Sequence, residues 1–384
     1  MERNFDFRKR LLEVHQKNRK NEAVFKTIEG VEICLGWQIV YPDDACRLLK
    51  YAARDLREYF EVSMDIYLKA LPASKSDKNA KRIIITTVDR APEFKCEYDD
   101  ASSYRLVVKE SQIVVCGTDA RGTAQGVYFL EDMMSLNEGP VVSLQNICRR
   151  PLYSPRMTHS GFGLDLFPDA HLRVLAHYGY DAILVFTTDI NMTPLGFVDF
   201  NDLIYRAAGY GIDVYSYSYY HNSMHPDDEG AREYYDDKYG RLFAECPGLK
   251  GIVFVGESME FPSRDEHTNG VPRHMTPGKI NRDGRPFPGW YPCNDYPQWI
   301  SMVRDVIRDK NPEADIVFWT YNWGYVNREA RLELIRNLPT DISLQATFEM
   351  FEQFHISDTV TVRCVDYTLF FEGPGLYFAS EAEE

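Results

Sequence analysis

From Ser154 onward, short apolar runs alternate with amphipathic segments, and this rhythm constrains the fold more than any other feature of the chain. The runs are SPRMTHSGFGLD, DAILVFTTDIN, IDVYSYSYYHN, LKGIVFVGESMEFPS, ADIVFWTYNWG and ISLQATFEMFE. Between them lie DAHLRVLAHYGY, FNDLIYRAAGYG, EGAREYYDDKYGRLFAEC, YPQWISMVRDVIRDKNP and NREARLELIRNLP, with apolar residues at helical spacing. Strands joined by helical crossovers pair in parallel. A doubly wound sheet and a TIM-type (β/α)8 barrel both satisfy the pattern. The barrel is favoured, because a polar residue stands at the carboxyl end of every run, where barrel active sites are built. Those ends carry Asp165, Asp189 with Asn191, His221 with Asn222, Glu257, Trp319 with Asn322, and Glu349.

The strand count does not close. A complete barrel needs eight strands and about 250 residues, and residues 151–384 supply only six clear runs. The remaining TVTVRCVDYTLFFEGPGLYFASEAEE reads as a strand, a loop and the first turn of a helix. An open parallel edge leaves backbone groups unpaired. The expectation is therefore a barrel truncated after about six strands, a piece of a longer protein.

Ahead of the barrel, residues 1–28 read as a polar, helix-prone lead-in and residues 29–148 as a small α/β domain. VEICLG is a short strand. YPDDACRLLKYAARDLREYFEV is a helix with Pro42, Asp43 and Asp44 as start signals and one apolar stripe of Ala45, Leu48, Leu49, Ala52, Leu56 and Tyr59. RIIITTV is a buried strand, and YRLVVKESQIVVCGTD a hairpin turning across Lys109, Glu110 and Ser111. ARGTAQGVYFLEDMM is a second helix with Ala124, Val127, Tyr128 and Met134 inward. CRRPLYSP reads as the linker, and residues 149–384 as the barrel domain.

Composition narrows the partners. A net charge of -15 argues against nucleic acid or an anionic membrane surface. The eight cysteines stand singly with no CxxC pair, so zinc ribbons and thioredoxin chemistry are unsupported. The charged start lacks an apolar signal region, and no run approaches the ~18 apolar residues of a membrane span. The expected location is the cytoplasm, or outside it if an upstream signal was lost with the true start. The oligomeric state stays open.

AARDLREYF, RIIITTV and YRLVVKESQIVVCGTDARGTAQGVYFLEDMM together resemble the small α/β domain that precedes the barrel in exo-acting glycoside hydrolases, among them bacterial α-glucuronidases and β-N-acetylhexosaminidases. GIVFVGESMEFPS is similar to the fourth-strand segment of α-glucuronidases, in which an apolar strand runs into a small residue and then the catalytic acid. The resemblance covers roughly residues 30–370. It implies a glycosidase that removes terminal sugars from a glycan, with Glu257 as its acid.

The residues suit that chemistry. A carboxyl at the mouth of a barrel strand, between apolar walls, has its pKa raised and can protonate a glycosidic oxygen. Cleavage needs a second carboxyl across the site, as nucleophile or as base for water. Glu349 is the candidate, with Glu352 and Asp366 as weaker alternatives. The bland alternative for Glu257 is a loop cap bonded to backbone amides. The substrate-assisted hexosaminidase route uses an Asp immediately before the catalytic Glu, and Gly256 stands there instead. For substrate binding, Trp319, Tyr321 and Trp323 alternate along one face, Asn322 ends the same strand, His221 and Asn222 close another, Asp189 a third, and Arg156 offers a bidentate clamp or an ion pair.

Other motifs add little. HNSMH lacks the glutamate and helix of a metal motif, and GTDARGTAQG lacks the lysine and spacing of a phosphate loop. Glu260, Asp265 and Glu266 read as a solvated loop. No cofactor and no metal are expected, and the partner is a carbohydrate. The rival reading is a non-catalytic glycan-binding barrel, or an inactive fragment of a glycosidase.

Overall fold

The computed structural model describes residues 13–159, 166–256, 261–265, 294–320, 328–345, 353–357 and 360–363. The chain divides into two compact units. The first comprises Met1–Arg156, Pro168–Asp181 and Tyr205–Ile212, and the second Met157–Phe167, Ala182–Ile204 and Asp213–Glu384.

In the first unit β1 (Val31–Glu32) pairs antiparallel with β7 (Val141–Val142). The main sheet holds β2 (Gln38–Tyr41), β3 (Lys69–Pro72), β4 (Arg82–Thr87), β5 (Tyr104–Lys109), β6 (Gln112–Gly117) and β8 (Gln145–Arg149), in the order β3-β2-β4-β6-β5-β8. The first four are parallel, β5 runs antiparallel to β6, and β8 pairs antiparallel with β5 and so returns to the direction of the first four. QIVY and KALP, four residues each, are too short to show a period, which is why β2 and β3 are not legible as strands. The helix Arg47–Ser63 begins after Cys46, later than Pro42, Asp43 and Asp44 suggest. Those acids serve the preceding turn: Asp43 accepts from the Ser74 amide at 3.1 Å, and Asp44 holds the Arg90 guanidinium at 2.6 and 2.8 Å. The expected stripe is buried from Ala45 to Tyr59. Each large apolar side chain taken from water there contributes about 1.5–3 kcal/mol.

The hairpin and its glycines have a steric logic. Asp119 caps the helix Ala120–Leu136, accepting from the Gly122 amide at 2.7 Å and from the Ser102 amide at 2.9 Å. A Cβ on Gly122 would stand 2.3 Å from the Ser103 carbonyl, and one on Gly117 2.4 Å from the Asp119 carbonyl. The acid therefore occupies the helix N-terminus that a phosphate loop would leave for its ligand. Among the described residues of the lead-in, 14–20 are bends and coil and Glu22–Phe25 forms a turn of helix. Long-range bonds override local propensity there, since the Asn21 amide donates to the Glu138 carbonyl at 2.8 Å and His15 is drawn to acids of both long helices.

The second unit is a six-stranded parallel sheet of β9 (Met157–His159), β10 (Ala182–Thr187), β13 (Asp213–Ser218), β14 (Gly251–Val255), β15 (Asp315–Trp319) and β16 (Ser343–Gln345). Spatial order follows chain order throughout. A doubly wound sheet reverses direction at a switch point, and none occurs among these strands, so the winding is that of a partial barrel. β11 (Met192–Thr193) and β12 (Gly196–Phe197) form a small hairpin after β10, and β17 (Gln353–Ser357) and β18 (Val360–Arg363) pair as an antiparallel hairpin separate from the sheet.

Alternation sorts the barrel wall. Ala182, Leu184, Phe186, Tyr215, Tyr217, Val253, Val255, Val317 and Trp319 cluster on one face. Phe254 and Phe318 face the other way, against Trp299 at 5.2 Å and Tyr296 at 4.5 Å. Both partners belong to the helix Tyr296–Arg308. The segment 231–245, read as one helix, contains a π turn at Asp236–Gly240. Tyr235 and Tyr239, on either side of its start, both lie edge-on to Trp299.

Candidate active site

The barrel-interior face ends, toward the carboxyl ends of the strands, in an aromatic floor. Register places Phe186 opposite Tyr217 and Val255 opposite Trp319. Phe186 lies 4.6 Å from Tyr217, Tyr219 stacks on Tyr217 at 5.3 Å and 26°, and Trp319 meets Tyr217 edge-on at 6.4 Å. His159, at the end of β9, turns its edge to Phe186 at 5.6 Å. Burial pushes its pKa down to about 4, so it is neutral at physiological pH. Phe186, Tyr217 and Trp319 are buried in this packing, and Tyr219 is half-buried. The motif MTH carried a signal for His159, because Met157 and His159 share one strand face, and the run YSYSYY placed Tyr217 and Tyr219 on another.

The proposed site residues fall into distinct groups. Trp319 is part of the floor and 5% exposed. Asp189 is exposed, accepts from the Ile190 amide at 2.7 Å and lies 3.6 Å from Arg241. Asn191 bonds the Phe200 amide at 2.9 Å, at the start of a helix. His221 is largely exposed, and its carbonyl accepts from Lys238 at 2.7 Å. Burial and Lys238 lower its pKa. Asn222 is fully buried and exchanges hydrogen bonds with Tyr239 at 3.1 and 3.3 Å, so it fastens the loop to the helical segment. Arg156 belongs to the first unit, where its amide and guanidinium bond Asp181 at 2.6, 3.1 and 3.3 Å. Its sequence readings were a substrate clamp or a salt bridge between the two domains, and the pair with Asp181 lies within one unit. Glu257, Glu349, Asn322 and Trp323 lie outside the described residues, as do Asp165, Tyr321, Glu352 and Asp366.

The segment that follows Glu257 is anchored by a knot that sequence reading missed. Asp295 accepts from Ser263 Oγ at 2.9 Å, the Arg264 amide at 2.8 Å and His225 Nε2 at 3.1 Å. The Asp227 amide donates to His225 Nδ1 at 3.0 Å, which places the ring proton on Nε2. Phe261 stacks on Trp299 at 5.6 Å and 5°. Asp265, expected in a solvated loop, is 5% exposed and accepts from the amide of Asn294. It is buried because it closes this turn.

A second concavity, of about 310 Å³, opens in the first unit at the carboxyl ends of β2 and β4. Its charged lining is already paired, Asp43 with Ser74 and Asp44 with Arg90.

These features define a class by fold: a small α/β module and a partial (β/α) barrel. No family model matches the chain, and no curated protein matches it by sequence. Solved structures do match. The GH20 β-N-acetylhexosaminidase of Streptomyces coelicolor A3(2) superposes with a TM-score of 0.55 at 14% identity, over 86% of this chain and 74% of that one. CpGH84D gives 0.55 at 10% identity over 83% and 53%. A GH138 enzyme targeting pectin rhamnogalacturonan II gives 0.54 at 10% identity over 83% and 49%. The likeness is one of fold. It agrees with the resemblance read from the small-domain motifs. Among the described residues, no helix is long and apolar enough to cross a membrane.

Proposed function

We propose that this protein is a glycoside hydrolase that removes sugars from the exposed ends of glycans, with Glu257 as general acid and Glu349 as the second carboxyl. The observation that carries the reading is the aromatic floor, Phe186, Tyr217, Tyr219 and Trp319, on the interior face of a glycosidase-type barrel. Val253 and Val255 face that interior at the end of β14, and Glu257 follows two residues later in the sequence. A carboxyl entering an apolar surround holds its proton to higher pH and so serves as an acid near neutrality. Retention or inversion follows from the carboxyl separation, ~5 Å against ~6.5–9.5 Å.

Substrate assistance of the hexosaminidase kind is not part of the proposal. Gly256 precedes Glu257, and its amide donates to the Trp319 carbonyl at 2.9 Å. The two-carboxylate route needs no orienting acid at that position.

The test is phenolate release from a panel of aryl glycosides and uronides, measured alongside Glu257→Gln. Release by the parent and its loss, by about a hundredfold or more, in the variant supports the reading and names the sugar. Activity retained in Glu257→Gln overturns the assignment. Silence across the panel, with a glycan-dependent rise in melting temperature, replaces hydrolysis with glycan binding.

A further inference from the structure

The first unit contains a closed polar pocket that the glycosidase reading does not use. His15 comes from the lead-in, Asp55 from the helix Arg47–Ser63, Glu131 from the helix Ala120–Leu136 and His177 from the helix Asp169–His177. Their side chains are 3%, 6%, 3% and 13% exposed. One ligand atom from each lies within 4.8 Å of all the others.

We propose that this pocket is a metal site, in which His15, Asp55, Glu131 and His177 hold one borderline divalent cation of the Zn²⁺ type. The ligand atoms all lie within 4.8 Å of one another, and His177 also places its Nε2 2.9 Å from Asp55 Oδ2. His15 Nε2 stands 3.1 Å from Asp55 Oδ1 and 3.2 Å from Glu131 Oε2, and His177 Nδ1 stands 3.8 Å from Glu131 Oε2. Four ligands at ~2.0–2.1 Å from a tetrahedral zinc are ~3.3 Å from one another. Two imidazoles and two carboxylates match the preferences of such a cation.

An independent observation points the same way. Glu131 Oε1 is buried with no hydrogen-bond partner among the described residues. A buried carboxylate oxygen left unsatisfied costs several kcal/mol in general, and a cation between the acids would remove that cost.

Arg173 is the competing cation. It contacts both oxygens of Asp55 and reaches Glu58 Oε1 at 3.2 Å. Its Nη2 also lies 3.1 Å from His15 Nδ1. A guanidinium only donates, so that contact requires Nδ1 to be unprotonated, with the ring proton on Nε2 between the two acids. A cation taking Nε2 moves that proton to Nδ1, and Arg173 turns from Nδ1 to Glu58. Proton and metal then compete for one position, and affinity rises with pH. Metal motifs such as the one HNSMH fails to complete reveal only ligands close in sequence. These four come from separate elements, and only the fold brings them together.

The experiment uses the full chain, stripped with EDTA and titrated calorimetrically with Zn²⁺, with Co²⁺ absorption as the second readout. The expected result is one equivalent bound at about 1 μM or tighter, a rise in the unit's melting temperature, and a cobalt spectrum of nitrogen and oxygen ligands. Glu131→Gln and His177→Ala should each weaken binding by about tenfold to a hundredfold or more. No stoichiometric uptake overturns the proposal and leaves an ion-pair latch. Uptake unchanged in both variants, or a thiolate charge-transfer band from cysteine ligation, also overturns it. The cobalt spectrum of the parent protein decides the matter even if a variant fails to fold.

Discussion

Replacing Asp295 with alanine removes the acceptor at the centre of the knot beside the candidate site. Three donors lose their partner: Ser263 Oγ, the Arg264 amide and His225 Nε2, at 2.9, 2.8 and 3.1 Å. Ser263 and His225 are 4% and 3% exposed, so water replaces the carboxylate poorly. Hydrogen bonds to a charged group are worth about 1.5–3 kcal/mol each, and the lower end applies where the backbone can relax. The expected loss is therefore about 3–5 kcal/mol, the range for breaking a buried charged network. With a urea slope of ~3 kcal/mol/M the midpoint falls by about 1–1.7 M. Tryptophan fluorescence reads the correct unit, because Trp290, Trp299, Trp319 and Trp323 all fall within its span and only Trp37 lies in the other. Asp295→Asn keeps one acceptor oxygen and should lose about half as much. Asp227→Ala, on an exposed side chain, should lose about 1 kcal/mol or less. A loss below 1 kcal/mol for Asp295→Ala, or one equal to that of Asp227→Ala, would refute the idea that the carboxylate organises this segment.

Three further outcomes are expected. Burial holds both His159 and His171 at about 4, below the ordinary 6.5 of the unfolded chain. Each therefore subtracts stability as pH falls from 6.5 toward 4, by up to about 3 kcal/mol, and His159→Phe should flatten the acid limb of the second unit's unfolding without altering stability at pH 8. Gly122→Ala should destabilise the first unit by about 2 kcal/mol or more, measured by its thermal transition, because the new Cβ meets the Ser103 carbonyl at 2.3 Å. The Cys96 thiol is pushed up to about 11, by burial first and then by its hydrogen bond with Cys148. Their proximity should let diamide join the two as an intramolecular disulfide, slowly at neutral pH and faster as pH rises and the Cys96 thiolate forms, seen as a two-thiol loss in thiol counting that Cys148→Ser abolishes.

The barrel elements were legible because their signals are long and periodic. DAILVFTT and GIVFV are continuous apolar strands, and the helices between them show regular stripes, so the parallel pairing followed from order, while the choice of a barrel over a doubly wound sheet rested on the polar residues at the strand ends. The small module was readable where its helices and hairpin were long, and opaque at QIVY and KALP, where four residues fit any pattern. The aromatic floor was half legible. Trp319 was read as sugar-facing, while Tyr217 was absorbed into a run of tyrosines whose alternation is visible only once β13 is placed. Asn222 shows the opposite failure: a polar residue at a strand end resembles a ligand group, yet its partner Tyr239 lies on the following helical segment, which spacing does not reveal. Asp55 and Glu131 did leave a trace. Asp55 falls three residues after Ala52 and four before Tyr59 on the apolar stripe, and Glu131 follows Tyr128 and Val127 at the same intervals, so each is an acid on a face that otherwise buries only carbon.

The Asp265–Asn294 contact gives the barrel wall an unusual tolerance. Asn294 bonds Asp265 through its amide and, at 3.3 Å, through Nδ2. Asp265 and Asn294, 29 positions apart in the sequence, are thus joined directly by hydrogen bonds. Lengthening the chain between them is thermodynamically cheap, about 0.6 kcal/mol for each doubling. Whatever is grafted between those two residues leaves the helix Tyr296–Arg308 where it is. The scaffold therefore offers a port on the same strand-to-helix connection as its candidate acid, through which new recognition elements can be exchanged without redesigning the sheet.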